Sequence, residues 1–170
     1  MRDKLSQKTR IAFDSSTLLH FLSYIKNQKL PENIAQEMPA LKIIFHSKDA
    51  SWIFILIDSV RRESEDKKHA YKTNIVVDTF NERISLSRFP IVFPVTFPSE
   101  TQQKTEEKYR KLGNLSQEDA VIIADSINAN CNYLITTDFR MLNNHYALKL
   151  AKQDGTIISK PSNFTIELAV

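Results

Sequence analysis

Only two glycines occur in the 170 residues, Gly113 and Gly155. A dinucleotide fingerprint needs three glycines in a short span, and a phosphate-binding P-loop needs two followed by Lys-Ser/Thr. Neither fits in this chain, and no G-x-S-x-G elbow of a serine hydrolase is present. The single cysteine, Cys131, excludes an internal disulfide and a CxxC zinc site. It fits a reducing compartment, and a cytoplasmic location is expected. No apolar run approaches the ~18–20 residues of a membrane span. The longest, Trp52-Ile53-Phe54-Ile55-Leu56-Ile57, reads as a buried strand, so no membrane partner is expected. Residues 1–10 are polar and lack an apolar signal core. Neither sign of charge dominates: 23 Lys and Arg face 20 Asp and Glu, for a net +3. That permits a polyanionic partner without demanding one.

What is present is ordinary for a globular domain. Apolar content is 42% and charge 25%. The length suits one domain with a real core, expected over residues 11–170 behind an N-terminal tail of 1–10. Strand and helix patterns alternate. Strands are expected at 11–13, 52–57, 133–136 and 156–159. Helices are expected at 15–27, from Pro31 until Pro39 interrupts, 58–80, 100–111, 118–130 and 139–150. Residues 41–45 fit either state. Three prolines in Phe89–Pro98 exclude helix and suggest a short extended element near an edge. This alternation predicts an α/β fold in three layers, a parallel sheet of about four to five strands flanked by helices.

Four acids stand out against this frame: Asp14, Glu63, Asp119 and Asp138. Asp14 and Asp138 follow short apolar strands, so they sit at carboxyl ends, the edge where open α/β sheets bind ligands. Asp119 shares a helical stripe with Ile122, Ile123, Ser126 and Ile127, and Glu63 follows Val60 at helical spacing. Each acid has a plainer reading. Asp14 and Asp138 can N-cap the helices that follow. Ser116-Gln117-Glu118-Asp119 resembles a capping box. Glu63 lies in a charged run that normally faces water. Three capping acids on one sheet edge, with a fourth facing it, would be an odd coincidence for capping alone. Carboxylates without Cys or His suit hard cations such as magnesium or manganese. His20, His46, His69 and His145 have no ligand spacing and no paired acid, so structural or surface roles are expected. Cys131 is expected to pack as a small apolar residue. Asp58 is expected to cap a helix, and Asp125 stands about 120° around the helix from Asp119.

These motifs resemble the PIN domain, the nuclease fold of many bacterial toxin ribonucleases and of several RNA-processing nucleases. The family's opening Asp-x-Ser/Asn-x-Leu-Leu is matched by Asp14-Ser15-Ser16-Thr17-Leu18-Leu19. Its second acid, early in the helix after strand two, is matched by Glu63, with Glu65 and Asp58 as rivals. Its Asp-x-x-Ile-x-Ala helix is matched by Asp119-Ala120-Val121-Ile122-Ile123-Ala124. Its Leu-Ile-Thr-x-Asp-x-x-Phe/Leu is matched by Leu134-Ile135-Thr136-Thr137-Asp138-Phe139-Arg140-Met141-Leu142. Its frequent ending Pro-x-x-Phe appears as Pro161-Ser162-Asn163-Phe164. The similarity spans roughly residues 11–164.

The resemblance implies a magnesium- or manganese-dependent ribonuclease. Asp14 and Asp138 would be direct ligands, and Glu63 and Asp119 would act through water or a second ion. Thr136 with Ser15 or Ser16 would hydrogen-bond the carboxylates or the phosphate. Arg61, Arg62 and Arg140 flank the acids and are candidate phosphate contacts, with plain surface charge as the alternative. The implied partners are single-stranded RNA, an antitoxin protein in the toxin members, and a second copy of the chain. Two rivals remain. A non-catalytic PIN-like module would bind RNA or protein, and its mark would be a lost acid. A phosphotransferase or receiver would phosphorylate Asp14. Ser16 stands where a haloacid-dehalogenase motif needs Asp, and residues 10–13 offer no receiver acids.

Overall fold

The computed structural model describes residues 8–47, 49, 51–60, 91–92 and 100–167. Five parallel strands form one sheet in the order β3-β2-β1-β4-β5. They are β1 (Thr9–Phe13), β2 (Trp52–Ile55), β3 (Ile91–Val92), β4 (Tyr133–Ile135) and β5 (Ile157–Ser159). Eight helices are described: α1 (Ser15–Ile25), α2 (Glu32–Ala35), α3 (Met38–His46), α4 (Glu100–Leu112), α5 (Gln117–Asn128), α6 (Phe139–Leu142), α7 (His145–Gln153) and α8 (Pro161–Glu167). The sheet is the one the alternating pattern predicts.

Consecutive residues Ile11, Ala12 and Phe13 are all buried. Side chains alternate faces along a strand, so both faces of β1 are covered. Phe13 stacks on Phe45 of α3 with ring centroids 4.9 Å apart, and meets Phe54 of β2 edge-on at 5.4 Å. The strand order makes β1 special. The chain moves outward from β1 to β2 and β3, then returns to β1's other side for β4 and β5. The order therefore reverses between β1 and β4. Such a switch point opens a crevice at the carboxyl ends of the strands, because the connections there leave in opposite directions.

With glycine so scarce, asparagine ends the helices. Asn27 (φ 55°) follows α1 and Asn130 (φ 51°) follows α5, both in the left-handed region. Asparagine tolerates that region better than most residues. Gln28 N–H donates to Ser23 C=O at 2.9 Å, and Cys131 N–H to Ser126 C=O at 2.9 Å. These are Schellman closures. Gly155 (φ 95°) closes α7 in the same way, with Thr156 N–H on Ala151 C=O at 2.9 Å. The expected helix ends at 27 and 130 therefore shift back to Ile25 and Asn128, because the asparagines are caps and not helical residues.

Other boundaries also move. Thr9 and Arg10, assigned to the tail, belong to β1; Thr9 N–H bonds Ser51 C=O at 2.7 Å. Residues 41–45 resolve as helix, since Pro39 lies in the first turn of α3, where a missing N–H costs nothing. The expected helix at 139–150 is two helices. Asn144 restarts the chain as an N-cap, accepting from Ala147 N–H at 3.0 Å. β2 stops at Ile55, with Leu56 and Ile57 buried beyond it. Of 58–80, only 58–60 are described, and they are helical. Of 89–98, only 91–92 are described, and they form the edge strand β3.

Helix α8 was not foreseen, and a distant acid caps it. Glu37 is buried, and its carboxylate accepts from Ser162 N–H at 2.8 Å and Ser162 Oγ at 3.0 Å. Lys160 Nζ adds an ion pair at 3.2 Å. Glu37→Ala leaves these donors without an acceptor beside a helix N-terminus. It should lower stability by about 2–3 kcal/mol, since hydrogen bonds to charged groups are the strong ones. A urea midpoint that falls with unchanged slope would register the loss; a midpoint within error of wild type would show that the cap contributes nothing.

Candidate functional site

Asp14 and Asp138 both emerge at the β1/β4 switch point, and the local backbone explains why. Asp14 N–H donates to Ile135 C=O at 3.0 Å, extending the β1–β4 ladder by one residue. That bond sets Asp14 beside Thr136, the residue that follows Ile135. Thr136 is fully buried and its hydroxyl does two jobs. It donates to Asp14 Oδ2 at 2.9 Å and accepts from Asp138 N–H at 3.0 Å. One hydroxyl thus ties the two acidic positions together.

Asp14 itself is only 4% exposed. Its carboxylate accepts from Ser16 Oγ at 2.5 Å and, more loosely, from Ser16 N–H and Ser15 Oγ, both at 3.4 Å. A buried carboxylate survives only when it is bonded in this way. The contact with Ser16 N–H also makes Asp14 the N-cap of α1. Asp138 caps α6 through Arg140 N–H at 2.8 Å. The capping readings of both residues therefore hold, and the caps stand side by side.

Asp138 is pushed up by burial. The Arg140 guanidinium, 3.0 Å from Oδ2, and the Arg140 N–H outweigh burial and hold the carboxyl below its usual range. Arg140 is thus Asp138's ion-pair partner. Its side chain is 83% exposed, and such a pair is weak and easily exchanged.

Asp119 stands in the first turn of α5, its N–H donating to Ser116 Oγ at 3.1 Å. It is half-buried, on the stripe that carries buried Ile122, Ile123 and Ser126. Burial raises its pKa, and the charges of Asp138 and Asp14 raise it further. Ser116 and Arg140 pull the other way without prevailing. Asp119 therefore feels the charges of both Asp138 and Asp14. Glu63, Arg61 and Arg62, with the rival Glu65, lie outside the described residues; the other rival, Asp58, is half-buried in the helical stretch 58–60.

Two residues join the site that sequence reasoning passed over. His20 Nδ1 lies 2.8 Å from Thr137 Oγ1. Thr137 in turn lies 3.3 Å from Thr17 Oγ1, which accepts Thr137 N–H at 2.9 Å. Burial lowers the His20 pKa, while Asp14 and Asp138 raise it; burial wins, so the ring is neutral at pH 7. The available signal was helical: His20 lies three residues beyond Thr17, hence on its face of α1. Asp125, about 120° around the helix from Asp119, has another task. It is buried and accepts from Ser59 N–H at 2.6 Å and from Gln102 Nε2. Cys131 is buried as expected, its thiol pushed up to about 12 by burial.

The acids at the switch point offer carboxylate oxygens, which fit a hard divalent cation in kind. Among the described residues, no three Asp, Glu, His or Cys side chains group tightly enough to hold a metal ion by themselves. No helix of the described residues is long and apolar enough to cross a membrane. Comparison with protein families, with curated proteins and with solved structures found no match to this chain.

The sign of the Asp119 shift yields a test. A carboxyl with raised pKa is disfavoured when ionised in the fold, so its cost is present above the folded pKa and vanishes as pH falls below the unfolded value. In chelator at pH 7, Asp119→Asn should raise the melting temperature by a few degrees. That gain should fade as the pH drops toward 4. Paired melts at both pH values decide it; a variant less stable at pH 7 would show that the ionised carboxylate contributes net stability.

Proposed function

We propose that this chain is a divalent-metal-dependent ribonuclease of the PIN type, acting at the β1/β4 switch point. The observation that carries the proposal is the Thr136 hydroxyl, which bonds both acidic positions at the ligand-binding edge of the sheet. The four motif matches support it, and so does the mutual repulsion felt by Asp119. Asp14 and Asp138 would hold magnesium or manganese, with Asp119 and Glu63 completing the ligand set through water or a second ion. A cation there would offset charge on the scissile phosphate and make a water easier to deprotonate.

The chain's own residues have defined tasks in this reading. Thr136, Ser15 and Ser16 orient the Asp14 carboxylate. Arg140 holds Asp138 in place and, being exposed, can swing from the carboxylate to the RNA phosphate. Arg61 and Arg62 would follow the backbone. A mildly basic surface helps a polyanion approach. Single-stranded RNA is the proposed substrate, in the cytoplasm, with an antitoxin-like inhibitor or a second copy of the chain as protein partners. A non-catalytic PIN-like binding module is the second reading; the lack of a tight three-ligand group among the described residues favours it.

Cleavage of a single-stranded RNA panel with manganese or with chelator separates the two. Wild type should cut only with metal, and Asp14→Asn should lose cleavage by at least ~100-fold while staying folded, since it removes a charge and little volume. Glu63→Gln should fall with it, and Glu65→Gln should cut normally. RNA binding without cleavage in any metal would favour the binding module, and undiminished cleavage by Asp14→Asn would exclude that residue as a required ligand.

A further inference from the structure

We propose that His20 is the proton acceptor of this site, its Nε2 taking a proton from the water that attacks the phosphodiester. The inference rests on the ribonuclease reading and adds a residue to it. Asp14 and Asp138 are poorly suited to the task. Asp14 spends its carboxylate on Ser15, Ser16 and Thr136, and Asp138 is matched by Arg140. Water deprotonation nevertheless needs a group that can receive a proton near neutral pH.

His20 meets that need by position. It stands on α1, the helix that Asp14 caps, and its ring is fixed by Thr137, the residue between Thr136 and Asp138. Thr137 is itself pinned, because its N–H and hydroxyl both engage Thr17. The ring is therefore oriented through Nδ1 by a rigid strand end. Nε2 makes no hydrogen bond among the described residues, and the side chain is only half-buried. In a chain of donors running His20 Nδ1–H to Thr137 Oγ1, Thr137 hydroxyl to Thr17 Oγ1, and Thr17 hydroxyl to Ile135 C=O, each proton ends on an acceptor. In that arrangement the ring is the Nδ1–H tautomer, and Nε2 keeps its lone pair as an acceptor. Orientation of a histidine through one nitrogen, so that the other handles the proton, is a general catalytic device.

The charges felt by the ring are those of Asp14, at the start of its own helix, and Asp138, after β4. Both stabilise an imidazolium once it forms. The step balances simply. A water O–H bond breaks and an Nε2–H bond forms. The water oxygen bonds phosphorus, and the P–O bond to the leaving ribose oxygen breaks. The imidazolium releases its proton to solvent, from which the leaving oxygen takes one.

The test compares wild type, His20→Gln, His20→Ala and Asp14→Asn on one single-stranded RNA with manganese. Each variant's melting temperature is measured to confirm folding, and its manganese affinity by calorimetry. His20→Gln should lose ~100-fold in kcat, within the range of one general base, with KM and manganese affinity within about twofold of wild type on the same argument. The acid limb of the wild-type kcat–pH profile should disappear in His20→Gln, and added imidazole should restore part of the His20→Ala rate. If Asp14→Asn is dead but His20→Gln keeps the wild-type rate and profile, His20 is not the acceptor and the ribonuclease reading stands. A slower His20→Gln with an unchanged profile and no imidazole rescue would make the residue structural and overturn the inference. A folded, metal-loaded wild type that cuts no RNA would overturn the reading and this inference with it.

Discussion

The hydrogen bond from Asp14 N–H to Ile135 C=O governs the arrangement of everything around it. It is the last rung of the β1–β4 ladder, and it lies where the strand order turns. A one-residue slip in this register would move Thr136 off Asp14 and reverse the face of every side chain on β4. The register is well guarded against that. Ile11, Ala12, Leu134 and Ile135 are wholly buried, so no slipped pairing leaves the core intact. The hydrophobic pattern of two short strands thus places two carboxylates beside each other.

Placing them there is electrostatically expensive, and the structure offsets the cost locally. Asp14 and Asp138 each sit at a helix N-terminus, where free N–H groups and the helix dipole favour negative charge. The hydroxyls of Ser15, Ser16 and Thr136 supply further donors to Asp14. Arg140 supplies a positive charge to Asp138. Asp119 receives less help, and its raised pKa records the remainder. A cation beside Asp119, were one bound, would relieve that remainder.

Short-range chemistry in the sequence was legible, and long-range pairing was not. The strands read from apolar runs, and the caps at Asp14 and Asp138 read from the residues that follow them. The meaning of the asparagines was missed locally: Asn27 and Asn130 look like helix until one asks what ends a helix when glycine is scarce. His20 was set aside because nothing nearby in sequence pairs with it; its partner Thr137 is 117 residues away. Glu37 and Ser162 are 125 residues apart, and Asp125 reaches Ser59 across 66. Each is a polar residue whose role depends on which buried donor the fold brings to it. No periodicity encodes that.

Capping and catalysis need not compete for these acids. A cap requires one bond from a first-turn N–H, and Asp138 has that from Arg140 N–H. Nothing in capping requires a buried threonine hydroxyl that serves Asp14 and the Asp138 backbone at once. Nor does capping call for a neutral, half-buried imidazole tied to Thr137 and feeling both charges. A helix cap also works at the protein surface, where water can share the bonding, whereas Asp14 is buried at the point where the sheet reverses order. Burying a carboxylate there costs more than a cap returns. The surplus of hydroxyl donors, aimed at one acid from three residues, is what capping leaves unexplained and what the proposed ligand-binding role would use.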